Sequence, residues 1–162
     1  MATHKQHSDA ERLVGFRIGS VAYAVRIGAV KEIINPIPVT ELPHAPASVA
    51  GVADHRGAVV PVIALRARFG LPPPTHPERC KWILVAMEQR TVGLMVDQVT
   101  EVFSPTEGEL RPAPELGGGE DERGIEGVTT HDGEMVFVLD VSRFRDLALN
   151  LGRPEEETRE LE

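Results

Sequence analysis

The chain has 162 residues, 41% of them hydrophobic, and a formal net charge of −8 at pH 7. That length suits a single domain with a real core, while the acidic balance argues against nucleic acid, whose phosphates need clustered Lys and Arg. A single cysteine, Cys80, excludes an intramolecular disulfide framework and fits a reducing compartment. No apolar run approaches bilayer-spanning length and the N-terminus lacks the apolar core of a signal peptide, so a soluble, cytoplasmic protein is expected. With only five Phe, one Trp and one Tyr, the core must be mostly Val, Ile, Leu and Ala. Thirteen Pro and fifteen Gly favour short strands with many turns over a helical bundle.

Residues 1–12 are polar and aperiodic and read as a disordered arm. From Val14 the apolar period is two: Val14, Phe16 and Ile18, then Val21, Tyr23, Val25 and Ile27 after a Gly19-Ser20 turn, which makes a hairpin. Ile27 to Ile34 is expected to form a short helix with Val30, Ile33 and Ile34 near one face, ended by Pro36 and Pro38. An extended connection follows. Gly51 to Gly70 then reads as a strand, a turn at Arg56-Gly57, a β-branched return from Val59 to Ile63, and one or two helical turns from Leu65. Pro61 cannot donate to a ladder, which predicts an edge strand or an irregularity in pairing.

Trp82 to Met87 is apolar on both faces and predicts a strand covered on both sides, returning over Val92 to Val96. Asp97 to Val102 continues extended, with Asp97 and Glu101 expected to be solvated. Gly108 to Gly124 is irregular, and its Gly117-Gly118-Gly119 run lacks the strand, helix and Lys-Ser/Thr pair of a phosphate loop, so it reads as linker. Gly127 to Thr130 and Met135 to Leu139 flank an Asp132-Gly133 turn. Asp140 suits a helix N-cap, before an amphipathic helix carrying Val141, Phe144, Ala148 and Leu151. Residues 153–162, rich in Glu, read as an acidic disordered tail.

No active site assembles from these residues. The six histidines show no His-x-x-x-His spacing and no Cys partner, so neither a metal site nor a cofactor is expected. Cys80 abuts an apolar strand start and reads as an inert, partly buried thiol. A nucleophile elbow is lacking as well.

The central segment resembles the CheW family of chemotaxis adaptors. Gly51, Val52, Arg56, Gly57, Pro61, Val62, Leu65, Arg66, Arg68 and Gly70 match its signature, whereas Asp54 replaces an Asn, His55 a Leu and Ala64 an Asp. Val30-Lys31-Glu32-Ile33 resembles the family's Val-x-Glu-Ile, and the Val92 to Val99 run its Val-Gly-Leu-x-Val-Asp-x-Val. The likeness extends from about Leu13 to Leu151. It implies a mainly β fold of two intertwined SH3-like five-stranded β-barrels with short helices and a C-terminal helix. The CheW-like domain would span 13–152, with two barrels that are not sequentially separable.

The resemblance further implies a non-enzymatic adaptor that couples methyl-accepting chemoreceptors to a CheA-type histidine kinase. Its partners would be the kinase regulatory domain and the cytoplasmic receptor tip, without nucleic acid or membrane insertion. The protein would be cytoplasmic, recruited to membrane-associated receptor arrays, and monomeric when isolated. Val30, Glu32, Ile33, Gly51, Arg56, Gly57 and Val96 are the expected receptor- or kinase-binding residues. Glu32 is expected within salt-bridge reach of Arg56, in a groove between the barrels. Alternative readings are a CheW-like adaptor of a non-motility pathway, one engaging a response regulator, or an enzyme on a small barrel scaffold.

Overall fold

A computed structural model describes residues 12–105, 110–112 and 124–145. Most of the expected N-terminal arm, the Gly-rich linker, the acidic tail and the C-terminal helix beyond Arg145 lie outside the described residues. The strands are β1 (Leu13–Ile18), β2 (Val21–Arg26), β3 (Val30–Ile34), β4 (Val49–His55), β5 (Ala58–Ala64), β6 (Lys81–Met87), β7 (Arg90–Val96), β8 (Gln98–Phe103), β9 (Ile125–His131) and β10 (Glu134–Leu139). One short helix, α1 (Leu65–Arg68), follows β5, and 3-10 turns cover Ile27–Ala29, Pro77–Arg79 and Val141–Phe144.

The strands form two five-stranded sheets, ordered β8-β1-β2-β10-β9 and β3-β6-β7-β5-β4. All strands of the second sheet fall between β2 and β8 of the first, so the two are nested along the chain. Both repeat one pairing pattern. In each, among the described residues, the only parallel neighbours are the third and fourth strands, β2 with β10 and β7 with β5.

Side chains alternate across a strand, so each strand can serve two cores. On β6, Trp82 and Leu84 pack with Ala53, Val60 and Val62 inside the second sheet, while Ile83, Val85 and Met87 face the core shared with the first. On β10, Val136 and Val138 meet Leu13, Ala24 and Phe103, while Leu139 joins the shared core. This double burial explains why β6 reads apolar on both faces.

Each sheet is closed across its edges by the same device. The chain leaving β3 carries Thr40 to the opposite edge, where it exchanges two backbone hydrogen bonds with Val52 of β4, at 2.8 and 2.9 Å. Likewise Arg111, past β8, exchanges two with Val128 of β9, at 2.8 and 2.7 Å. A glycine precedes each receiving valine. A Cβ on Gly51 would run into the Thr40 carbonyl oxygen, and one on Gly127 would sit 2.8 Å from that of Arg111.

One expectation needs correction and another is narrowed. Ile27 to Ile34 is a 3-10 turn followed by strand β3, because the β-branched Val30, Ile33 and Ile34 gain a ladder on β6 that so short a segment could not replace with helix. Of the two alternatives expected for Pro61, the edge strand is excluded because β5 is interior, and the irregularity in pairing is found. Val52, the partner of Pro61, directs both backbone groups to Thr40, so the Pro61 nitrogen faces β7, whose pairing with β5 begins only at Val62. No ladder bond is lost. Asp140 does cap the last 3-10 turn, accepting from the Ser142 amide at 3.0 Å.

Candidate functional site

The β4–β5 hairpin turns on two residues with positive φ, Arg56 at 54° and Gly57 at 82°. That is the two-residue geometry that matches strand twist, and it suits Gly far better than Arg. Asp54 holds it by accepting from the Gly57 amide at 3.0 Å. Asp54 is thereby engaged with its own turn and does not compete with Glu32 for the guanidinium. Arg56 is left three-quarters exposed.

Glu32 reaches this tip from the opposite edge of the sheet. A β-bulge between Val30 and Glu32 inserts Lys31 against β6 and re-aims the residues after it. Arg56 Nη2 lies 2.9 Å from Glu32 Oε1 and Nη1 donates to Oε2 at 3.3 Å, while His55 Nε2 lies 3.2 Å from the same Oε2. The expected Glu32–Arg56 pair is therefore formed. It clasps the two edge strands of one sheet, where a groove between the sheets was expected. Exposed ion pairs contribute about 0–1 kcal/mol to stability, so closure of the sheet rests on the Thr40 bridge and the core.

The other expected residues divide by burial. Ile33 (42% exposed) and the exposed Gly57 present surface beside the clasp, and Val30 is half-buried against the shared core. Val96 and Gly51 are buried. Sequence reasoning did not single out Val59, among the described residues the most exposed large apolar side chain (69%), on β5 opposite Asp54. A β-branched residue in an apolar run carries no mark of which face is covered.

A second polar anchor joins the sheets. Arg66 on α1 forks onto Asp97, with Nε to Oδ1 and Nη2 to Oδ2 both at 2.8 Å, and donates Nη1 to the Pro72 carbonyl. Asp97 Oδ2 also accepts from the Gly19 amide at 2.6 Å. Asp97 is thus not the solvated residue its alternating strand suggested. Burial by itself pushes its carboxyl up, but the Arg66 hydrogen bond, the Gly19 amide and the attraction of the guanidinium outweigh it and hold the group below the usual carboxylate value. Cys80 is a buried free thiol, raised above its usual value by burial and by the negative charge of Asp97. Ellman's reagent should label it in the folded protein far more slowly than in denaturant; equal rates would contradict its burial.

The first sheet has a clasp of its own in the same place. His131 at the end of β9 and Asp132 at the β9–β10 turn correspond to His55 and Arg56, and Glu101 on the edge strand β8 corresponds to Glu32. His131 Nε2 lies 2.7 Å from Glu101 Oε1. The apolar neighbours also correspond, Val102 and Met135 standing where Ile33 and Val59 stand, all four exposed. The shared His-x-Gly spelling of the two tips was the available signal for this repeat.

Comparison with known proteins agrees with this architecture. Residues 12–148 match the CheW-like domain family. A "Probable chemotaxis protein CheW" of Rhizobium etli is 34% identical over 129 residues, 80% of this chain and 83% of that protein. The "Chemotaxis protein CheW" of Helicobacter pylori is 34% identical over 116 residues, 70% of each chain. The crystal structure of the scaffolding protein TtCheW from Thermoanaerobacter tengcongensis superposes with a TM-score of 0.74 at 27% identity, covering 82% of this chain and 85% of that one. Two nested five-stranded sheets, matched along nearly their whole length by this family, make the chain a member of the CheW-like domain family.

Proposed function

We propose that this chain is a non-enzymatic chemotaxis adaptor. It couples the cytoplasmic tips of methyl-accepting chemoreceptors to the regulatory domain of a CheA-type histidine kinase. Family membership and the names of the relatives support the adaptor role. The observation that carries the coupling role is the Arg56–Glu32 clasp, a guanidinium held in a left-handed turn at an exposed tip, flanked by the exposed Ile33 and Val59. A backbone conformation unfavourable to Arg, retained at the surface, points to a use for the side chain. Arg presents a planar fork suited to reading a partner's carboxylates or amide carbonyls.

In this reading the binding residues are Glu32, Ile33, Arg56, Gly57 and Val59, with Val30, Gly51 and Val96 setting the backbone beneath them. Transmission needs only that the adaptor bind one receptor state better than another. The protein works from the cytoplasm, recruited to receptor arrays; among the described residues no helix is long and apolar enough to cross a membrane. The adaptor domain spans 13–152, with residues 1–12 and 153–162 as flanking segments.

Three variants test the site. Arg56→Gly removes the guanidinium while relaxing the turn, Arg56→Lys keeps the charge without the fork, and Glu32→Gln releases the guanidinium from its partner. Each should weaken binding to a receptor-tip fragment, measured by calorimetry, with Arg56→Gly losing about tenfold or more, as for an interface anchor. Melting temperatures should stay within about 4 °C of the parent. Unchanged binding by Arg56→Gly would overturn the assignment, and so would loss of the fold.

A further inference from the structure

The first sheet departs from the second at one chemically decisive position. Where Arg56 places a cation on Glu32, the equivalent turn residue is the carboxylate Asp132. Glu101, His131 and Asp132 each bring a ligand atom to within 4.8 Å of the others. Both carboxylates converge on one atom: His131 Nε2 lies 2.7 Å from Glu101 Oε1 and 3.5 Å from Asp132 Oδ2. Adjacent ligands on a tetrahedral or octahedral ion, bound at roughly 2.0–2.2 Å, stand about 3.0–3.5 Å apart. The two distances to His131 bracket that range and the carboxylate oxygens lie within 4.8 Å of each other, so side-chain rotations of the exposed Glu101 and Asp132 would bring all three atoms onto one face of an ion.

The surroundings suit such a role. Phe103 stacks on the His131 ring at 4.0 Å between centroids and 15° between planes, fixing the imidazole with Nε2 toward the carboxylates. The trio lines a cavity of about 180 Å³, which leaves room for water on the remaining positions. Arg17 lines the same cavity, but it donates to Glu134 at 2.5 Å and to the Ser20 carbonyl. Glu134 lines the cavity too, so the guanidinium is neutralised within it by a carboxylate outside the trio.

We propose that Glu101, His131 and Asp132 form a divalent transition-metal site that clasps the edge strands of the first sheet, as the Arg56 guanidinium clasps those of the second. One imidazole and two carboxylates favour a borderline ion such as Zn(II) over Mg(II), which prefers all-oxygen ligands. The site is open and its carboxylates exposed, so the ion exchanges with solvent and serves closure of the sheet.

The test titrates the full chain with zinc chloride, following heat and the imidazole resonances of His131. One equivalent should bind with those resonances shifting first, Mg(II) should not compete, and zinc should raise the melting temperature. His131→Gln should lose that equivalent, weakening it by about tenfold or more. Glu101→Gln and Asp132→Asn, which replace exposed side chains, should each weaken it while leaving the fold intact. The proposal is overturned if His131 resonances do not respond to zinc. It is equally overturned if His131→Gln, or both carboxylate variants, bind zinc as the parent does through the other histidines or Cys80.

Discussion

Replacing Asp97 with asparagine is expected to destabilise the protein by about 2–3 kcal/mol near neutral pH, because it leaves the Arg66 guanidinium partly buried without its counter-charge. Both side chains are only about one-fifth exposed, and the fork joins α1, at the end of the second sheet, to the β7–β8 connection. The Gly19 amide ties the β1–β2 turn of the first sheet to the same carboxylate. The effect has a defined pH dependence. The folded group titrates below its unfolded value of about 3.9, so its contribution is complete above that value and disappears as pH falls through the folded value. Urea melts of parent and Asp97→Asn should therefore differ most above about pH 5 and converge in strong acid. A gap that persists unchanged at pH 2 would contradict the linkage. The double variant Arg66→Met with Asp97→Leu should be less destabilised than the sum of its single variants, since neither charge is then stranded.

Gly51→Ala should be costly although the residue is buried away from any partner. Gly51 has φ of 146°, a region that L-residues rarely adopt, and a Cβ there would strike the Thr40 carbonyl that closes the second sheet. Backbone strain of about 1–3 kcal/mol and overpacking of similar size predict a loss of about 2–6 kcal/mol and a melting temperature lower by about 5 °C or more. Gly127→Ala is the internal control. It meets the Arg111 carbonyl at 2.8 Å without a positive φ, so it should lose only the overpacking part. If Gly127→Ala proved the more damaging of the two, or Gly51→Ala melted with the parent, this account of closure would fail.

The hairpins were legible because turn chemistry and period-two patterning are local. Gly19-Ser20, Arg56-Gly57 and Asp132-Gly133 mark turns wherever they stand, and the flanking alternation of β1, β2, β9 and β10 follows from the pleat. The family signature fixed the fold class for the same reason, as an ordered run of residues readable without coordinates. The Val30–Ile34 segment was misread because its apolar spacing satisfies a helix as well as a strand. Only the ladder offered by β6, distant in sequence, decides between them.

The sequence by itself determined the four hairpins β1–β2, β4–β5, β6–β7 and β9–β10 and their turns and, through the family resemblance, the fold class and the Arg56 tip. What tertiary structure alone decided is that the expected Glu32–Arg56 pair spans the edges of one sheet and takes in His55, that Glu101 meets His131 across the edges of the other, and that Arg66 meets Asp97 between the sheets. These partners are separated by long stretches of chain, and a charged residue on an alternating strand looks the same whether it faces water or a guanidinium. Sheet curvature, set by twist, bulges and the packing of two cores, brings one edge to the other. No local pattern encodes that approach, so the polar clasps, and the burial that removes Gly51 and Val96 from the surface, appear only when the sheets close.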